Sequence, residues 1–345
     1  MKRMRLRDLG ITIGRYETGT YNGITDVAGV KVGHVTLFHD LESGHAVRTG
    51  VTAILPHGDN LFQEKVPASS YIINGFGKTV GTIQVQELGV IESPILLTNT
   101  LSISAALEGT IRYLLEQNPQ IGDTAGTVNV VVGECNDGYL NDIRGLHVKP
   151  EHGIQAIESA QSGPVEEGCI GAGTGMSCLG FKGGIGTSSR VTGNYTVGAL
   201  VLSNYGKREH LRLPGTSKPT LELTPDGSIM IILATDAPLN ARQLQRLAKR
   251  ATFGLSRTGS HAEHGSGDIV IAFSTANRIP HEYATNQQTT TLEIIREDGP
   301  LISQLFEMTA EAVEEAIWNS LCKATTTVGQ NGKVREAIPY QLFKP

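Results

Sequence analysis

The sequence predicts a layered α/β or α+β fold in which sheets pack against helices. Two observations support this class: short apolar runs bounded by Gly and Asn or Asp are typical of buried strands, and longer stretches with one apolar face are typical of helices. Glycine supplies 41 of the 345 residues and is spread along the chain rather than gathered in a linker. The length allows one large domain or two, and no internal repeat is evident.

The strand predictions rest on runs that are rich in Val and Ile. These runs cover residues 51–55, 127–132, 196–202, 229–233 and 268–273. Three helices are predicted from apolar residues at helical spacing, over residues 102–117, 240–251 and 301–324. Asn240 stands at the start of the second helix, where an Asn side chain commonly caps the first turn.

Composition limits the classes of binding partner and the cellular location that we expect. The net charge of −5 gives no electrostatic footprint for nucleic acid or an anionic membrane. No apolar window approaches the length needed to span a bilayer, and the basic N-terminus lacks the apolar stretch of a signal peptide. Four widely spaced cysteines without a CxxC pair fit reduced thiols, so we expect a cytoplasmic protein.

No cofactor is predicted. The segments 74–79, 171–175 and 186–190 each miss one required position of a phosphate loop, a dinucleotide fingerprint and a nucleophile elbow, respectively. His261 and His264 are spaced by three residues in a loop-like segment, which favours two exposed polar residues over a metal site.

Ser228 follows Gly227 and a turn at residues 224–226, and it precedes the apolar run 229–233. A chain that cut itself before this serine would expose a hydroxyl beside its own α-amino group. That amine can act as the general base, so no separate histidine is needed. The pattern predicts a self-processed amidohydrolase with Ser228 as its nucleophile.

A second serine has a similar position, because Ser266-Gly267-Asp268 leads into the run 268–273. If the two strands are parallel or neighbouring, both serines and the carboxylate of Asp268 lie at one sheet edge. There the carboxylate could hydrogen-bond a serine hydroxyl and orient the nucleophile. A turn in which Asp268 caps nearby amides fits the local sequence equally well.

Co-linear motifs extend these patterns over nearly the whole chain. They cover residues 24–34, 48–52, 133–142, 171–176, 181–190, 226–228, 234–238, 265–268 and 273–277. With these motifs the chain resembles the L-aminopeptidase/D-esterase and β-peptidyl aminopeptidase family, whose members mature by autoproteolysis. The resemblance implies a four-layer αββα sandwich that forms a single peptidase domain. It also implies cleavage into an α chain, 1–227, and a β chain, 228–345.

The resemblance assigns roles to residues. Ser228 would attack the substrate carbonyl, with Ser266 and Asp268 orienting it. Asn204 would lend its amide to the oxyanion, although the local sequence alone favours a turn residue. Glu134 would hold the free amino group of the substrate, and a structural ion pair is its alternative.

A second oxyanion donor falls within Asn136 to Tyr139, and the phenol of Tyr139 could supply it. Lys182 and Arg190 are expected to be structural. The family resemblance implies a homo-oligomer, a tetramer of αβ units, that acts on small peptides, amino acid amides or esters.

Two other functions stay open. One is acyl transfer of the ornithine acetyltransferase type, although those enzymes have threonine at the cleavage point where this chain has Ser228. The other is an unprocessed binding protein without turnover. Substrate preference among L-, D- and β-amino acids is open, and segments rich in Gly, Ala and Ser favour small N-terminal residues.

Overall fold

The computed structural model describes residues 3–212, 227–282 and 287–343, so the turn predicted at 224–226 lies outside the described residues. The strands are β1 Lys31–Asp40, β2 Ala46–Leu55, β3 Glu64–Gly75, β4 Val90–Ile91, β5 Ile95–Asn99, β6 Val131–Cys135, β7 Ser177–Cys178, β8 Phe181–Lys182, β9 Gly184–Thr192, β10 Tyr195–Asn204, β11 Ser228–Thr235, β12 Gly267–Ser274, β13 Ile279–Pro280, β14 Thr327–Val328 and β15 Val334–Arg335. The α-helices are α1 Thr82–Leu88, α2 Ile103–Gln117, α3 Pro150–Glu158, α4 Ala241–Arg257 and α5 Pro300–Lys323.

Two main sheets organise the chain. The larger sheet has seven strands in the order β13-β3-β12-β11-β10-β9, with β4 paired beside β3. The smaller sheet has the order β1-β2-β5-β6. Strand β11 runs parallel to β12 and antiparallel to β10. Strand β11 is therefore an interior strand of the larger sheet, with hydrogen-bonded neighbours on both sides.

Helices cover the outer faces of both sheets. Helices α4 and α5 pack on the seven-stranded sheet, and α2 and α3 pack on the four-stranded sheet. The inner faces of the two sheets share an apolar core, to which β11 contributes Met230 and Ile232 and the smaller sheet contributes Leu97 and Val131. These layers confirm the predicted four-layer αββα sandwich.

Strand β11 is buried on both faces. Ile229 and Ile231 point to the core beneath α4 and α5, whereas Met230 and Ile232 point to the core between the sheets. Because successive side chains of a strand alternate in direction, a strand covered on both sides must be apolar at every position. This burial explains the uninterrupted run after Ser228 in the sequence.

The three predicted helices are present; two have ends within one residue of the predicted ones, whereas α4 continues six residues beyond residue 251, to Arg257. Asn240 caps α4 as predicted: its Oδ1 accepts a hydrogen bond of 2.9 Å from the Gln243 amide, and Gln243 Oε1 accepts one of 3.1 Å from the Asn240 amide. No helix among the described residues is long and apolar enough to cross a bilayer.

One strand prediction is wrong at its start. The run 127–132 was expected to be extended throughout, but β6 begins only at Val131. Its parallel partner β5 begins at Ile95, which lies opposite Val131. Residues 127–130 are outside the stretch that this partner covers, so their apolar composition does not place them in the sheet.

Lys182 and Arg190, which were expected to be structural, are buried and contact groups inside the fold. Lys182 Nζ donates to the carbonyl oxygens of Gly173 at 3.0 Å and Gly183 at 2.8 Å. Arg190 in β9 forms ion pairs with Glu311 at 3.0 Å and Glu315 at 2.7 Å, both in α5. Arg190 and Glu315 have no solvent-exposed side-chain surface, so this ion pair fixes α5 against the larger sheet.

Candidate active site

Ser228 is the first residue of β11. Its register partners are Asn204, the last residue of β10, and Gly267, the first residue of β12. The Gly267 amide donates a hydrogen bond of 3.2 Å to Ser228 Oγ. Because β11 and β12 are parallel, Ser228 and the segment 266–268 meet at the sheet edge formed by the N-terminal ends of these two strands, as the sequence predicted.

Gly227 occupies a position that admits no side chain. A Cβ atom there would lie 2.2 Å from the carbonyl oxygen of Asn204 and 2.4 Å from the Cα of Tyr205. Real Cβ atoms do not approach backbone atoms this closely, and neither neighbour is the end of a flexible side chain. Close backbone approach therefore accounts for glycine immediately before Ser228.

Ser266 and Asp268 form a buried pair beside Ser228. Ser266 Oγ donates a hydrogen bond of 2.6 Å to Asp268 Oδ1. The other carboxylate oxygen, Oδ2, is buried and has no hydrogen-bond partner among the described residues. Burial raises the pKa of Asp268 from its ordinary 3.8 to about 6, against the opposing effect of the Ser266 hydrogen bond. Asp268 lies in β12 rather than in the turn before it.

Both ends of the Asn204 side-chain amide are engaged. Its Oδ1 accepts a hydrogen bond of 2.8 Å from the Ser177 amide, and its Nδ2 donates one of 2.9 Å to the carbonyl oxygen of Asn136. An amide nitrogen carries two hydrogens, so one remains for an oxyanion at Ser228. The side chain of Asn136 is turned to its own loop, where its Oδ1 accepts from the Gly138 amide at 2.9 Å.

Glu134, near the end of β6, is only 3% exposed. Its Oε1 accepts a hydrogen bond of 2.9 Å from the Lys78 amide, and its Oε2 accepts one from Thr100 Oγ1. Lys78 and Thr100 were not predicted as site residues, because nothing in their local sequence marks them as partners of Glu134. No cation pairs with this carboxylate among the described residues, so the predicted alternative of a structural ion pair is not observed there.

Gly77 links Glu134 to the strand ends. A Cβ atom at Gly77 would lie 3.7 Å from Glu134 Oε1 and 3.6 Å from the Cα of Gly267. The carboxylate of Glu134 and the β12 side of Ser228 therefore flank the same short segment after β3. A charged group of a ligand at these strand ends can approach both the Glu134 carboxylate and Ser228.

A cavity of about 360 Å³ opens on the Asn204 side of Ser228, opposite to the side on which Glu134 lies. Gly227 and Asn204 form part of its wall. Asn136 and Tyr139 also line it, so the structure brings both candidate binding residues to the site. The Arg335 guanidinium lies 3.8 Å from the centre of the Tyr139 ring, and Lys333 Nζ lies 5.2 Å from it. Lys333 and Arg335 were not predicted as site residues, because they are far from Ser228 along the chain.

A polar cluster lies on the far side of Gly227. Glu263 Oε1 is 3.3 Å from His210 Nδ1, 3.6 Å from His261 Nε2 and 3.8 Å from Lys207 Nζ. The ligand atoms of His210, His261 and Glu263 lie within 4.8 Å of one another, close enough to hold a divalent cation. The Lys207 ammonium competes with a cation for the same carboxylate oxygen. His264 is exposed, as expected, and its ring lies 6.2 Å from that of Phe76.

Comparison with known proteins identifies relatives along the whole chain. The model of peptidase family S58 matches residues 22–335. The β-peptidyl aminopeptidase BapA of Sphingosinicella microcystinivorans is 41% identical, and the alignment covers 97% of this chain and 90% of that protein.

Solved structures give the same result. The PH0078 protein of Pyrococcus horikoshii is 53% identical, with a TM-score of 0.90 over 98% of this chain and 97% of that one. The L-aminopeptidase D-Ala-esterase/amidase of Ochrobactrum anthropi is 36% identical, with a TM-score of 0.89 over 98% and 96% of the two chains. That structure is described as a variant of the Ntn hydrolase fold.

The fold and these relatives define a serine aminopeptidase with an Ntn hydrolase-like architecture. The chain belongs to peptidase family S58.

Proposed function

We propose that the chain cuts itself between Gly227 and Ser228, and that Ser228 then releases N-terminal residues from peptides, amides or esters. The observation that carries this proposal is the position of Ser228 at the head of β11, with its Oγ bonded to the Gly267 amide at 3.2 Å. Cleavage at this bond gives the fragments 1–227 and 228–345.

The free α-amino group of Ser228 acts as the general base. It takes the proton of Oγ while Oγ bonds to the substrate carbonyl carbon, which forms a tetrahedral intermediate. The carbon–nitrogen bond then breaks, the protonated base returns its proton to the leaving amine, and an ester with Ser228 remains. Water attacks the ester in the same way and releases the N-terminal residue.

Ser266 and Asp268 orient the nucleophile. The hydroxyl of Ser266 is fixed by its 2.6 Å bond to Asp268, and the second carboxylate oxygen of Asp268 can receive a hydrogen from the protonated amine. Such a carboxylate stabilises the positive charge that develops on the base.

Two further groups act on the substrate. The remaining amide hydrogen of Asn204 stabilises the oxyanion, with the phenol of Tyr139 as the proposed second donor; loss of one such donor typically costs about 10²–10³ in kcat. Glu134 binds the substrate ammonium group. Its burial supports this role, because a desolvated carboxylate pairs strongly with a cation.

The proposed substrates have small N-terminal residues, and L-, D- and β-amino acids are all included. The names of relatives support peptide substrates with an unblocked amine. We also propose that the protein is cytoplasmic, which its four free cysteines support, and that it assembles as a homo-oligomer, a tetramer of αβ units, as the family resemblance implies.

Mass analysis of three purified proteins tests the proposal. The wild type should give the two fragments, and Ser228→Ala should give one inactive chain. Ser274→Ala is the matched control, because Ser274 is a buried serine at the opposite end of β12, bonded to the Ala237 carbonyl oxygen at 2.7 Å. It should be cleaved and active. An intact wild-type chain with full activity contradicts the proposal.

Two assays separate the alternatives. Transfer of the acyl group to an added amine, in preference to water, would indicate an acyltransferase. A single band on a denaturing gel with no turnover would indicate a binding protein.

A further inference from the structure

The described side chains in the wall of the cavity beside Ser228 carry a net positive charge, and this charge stays positive after the proposed cleavage adds the carboxylate of Gly227 to the wall. The lining includes two side chains that are charged at neutral pH, Lys333 and Arg335, and both are cations; no Asp or Glu contributes to the wall among the described residues. The other described side chains of the lining are uncharged, and Asn136, Tyr139, Ser177 and Asn204 are among its polar members. A cavity of this kind favours a ligand that carries negative charge.

Local structure holds the two cations together. Lys333 and Arg335 are separated by one residue, and Arg335 ends β15, which pairs with β14. The Arg335 guanidinium stacks on Tyr139 at 3.8 Å, and its Nε donates a hydrogen bond of 3.3 Å to Ser177 Oγ. Lys333 Nζ lies 5.2 Å from the centre of the same ring. Both charged groups are therefore placed around one aromatic side chain of the cavity wall.

The strand order gives the direction in which a substrate extends. Across the larger sheet, Asn204 lies on one side of Ser228 and Gly267 on the other. Glu134 lies on the Gly267 side, where Gly77 separates the two, whereas the cavity opens on the Asn204 side. A substrate with its ammonium group at Glu134 and its carbonyl at Ser228 thus directs its leaving group into the cavity.

We propose that Lys333 and Arg335 bind the carboxylate of the leaving amino acid, and that dipeptides with a free C-terminus are the preferred substrate class. This inference rests on the proposed function, because it takes Ser228 as the nucleophile and Glu134 as the amine site. In a dipeptide, the carboxylate is one residue, roughly 3.3–3.6 Å of extended chain, beyond the scissile bond. Amides and esters lack this charge.

Matched substrates test the inference. The kinetic parameters kcat and KM are measured for alanyl-alanine, for its C-terminal amide and for alanine p-nitroanilide. The wild type should favour the dipeptide over its amide. A charge-assisted contact contributes about 1.5–3 kcal/mol, so Lys333→Gln combined with Arg335→Gln should reduce this preference about 10- to 100-fold. The change should occur mainly in the KM of the dipeptide.

The p-nitroanilide has no carboxylate, so it serves as the reference substrate: Arg335 stacks on Tyr139, and a disturbance of that ring should affect all three substrates alike and leave the ratio of dipeptide to amide unchanged. The p-nitroanilide also reports whether each variant is folded. Lys207→Gln is the control for a general loss of positive charge, because Lys207 follows Gly206 of the cavity wall but does not itself line the cavity. It should keep the preference for the dipeptide.

Two results overturn the inference: equal kcat/KM for the dipeptide and its amide in the wild type, or an unchanged preference for the dipeptide in a double variant that still hydrolyses the p-nitroanilide. Failure of the wild type to hydrolyse any of the three substrates is a different result. It would overturn the proposed function, and this inference with it.

Discussion

Ser228 and Gly267 begin two parallel strands in register, and the Gly267 amide donates a hydrogen bond to the serine hydroxyl. The backbone at Gly267 also lies close to the segment after β3. A Cβ atom at Gly267 would be 2.8 Å from the Phe76 carbonyl oxygen and 2.9 Å from the Gly77 Cα.

Gly267→Ala should therefore displace the segment that carries the Lys78 amide to Glu134. Overpacking typically costs about 1–3 kcal/mol of stability. A shift of about 1 Å can lower turnover about 10²-fold. Gly75→Ala is the control, because its Cβ would meet only Ile72 Cγ2 at 3.6 Å, an ordinary contact. Steady-state rates of both variants, and their denaturant unfolding in the Ser228→Ala background, check the prediction, and equal effects of the two substitutions would contradict it.

Glu134→Gln should weaken substrate binding more than chemistry. The substitution keeps the acceptor for the Lys78 amide but removes the charge that pairs with the substrate ammonium group. We expect KM to rise about 10- to 100-fold with little change in kcat, because the ion pair is present in both ground and transition states. Glu92→Gln is the control, since Glu92 is a buried carboxylate whose partner is Lys65 at 2.8 Å. A lower kcat at unchanged KM in Glu134→Gln would contradict this role.

The pKa of Asp268, about 6, should appear in the pH dependence of activity. Two groups must be deprotonated for turnover, the α-amine of Ser228, whose ordinary pKa is about 7.7–8.0, and Asp268. Below about pH 6, log kcat/KM of the wild type should fall with a slope of about two per pH unit. In Asp268→Asn the slope should be about one and the plateau lower.

Asp236→Asn is the control for the pH profile, because burial also raises the pKa of Asp236. The carboxylate of Asp236 accepts a hydrogen bond of 2.7 Å from the Thr196 amide, far from Ser228. This variant should keep the slope of the wild type. A wild-type slope of one at all acidic pH values would exclude a titrating Asp268.

Stability should respond to pH in the opposite direction. The folded-state pKa of Asp268 is raised, so its contribution is complete below pH 3.8 and is lost as the pH rises through about 6. Asp268→Asn should thus gain up to about 3 kcal/mol relative to the wild type between pH 4 and pH 8. Denaturant unfolding in the Ser228→Ala background, where a single chain is expected, measures this difference at the two pH values, and a pH-independent difference would contradict it.

Glu315→Gln should destabilise the fold by less than the about 3–5 kcal/mol that a fully unpaired buried charge costs, because Arg190 loses one of its two buried carboxylate partners and keeps Glu311. Unfolding is best followed in the Ser228→Ala background, where a single chain is expected. Arg15→Gln is the control: its ion pair with Glu307 is exposed, and such pairs contribute little. Similar losses in both variants would show that burial of the ion pair has no special importance.

The sequence predicted those parts of the molecule that depend on local pattern. Apolar runs identified β11 and β12, and the repetition of a serine before each run placed Ser228 and Ser266 at one edge. The start of β6 was not predictable, because it depends on where β5 begins. Thr100, Lys333 and Arg335 reach the site only through packing between distant segments, and no local spacing marks them.

Strands β11 and β12 form adjacent partners that lie between β3 and β10 in one sheet. Under the proposed cleavage, this central pair belongs to one polypeptide and both flanking strands belong to the other. The new chain folds in a first-order process, before the bond is cut. Reassembly of the mature protein after denaturation would instead be second-order, and it would require one fragment to insert its strands between those of the other. Maturation thus makes the native state dependent on its synthesis history, and survival at high temperature becomes a question of unfolding rate rather than equilibrium.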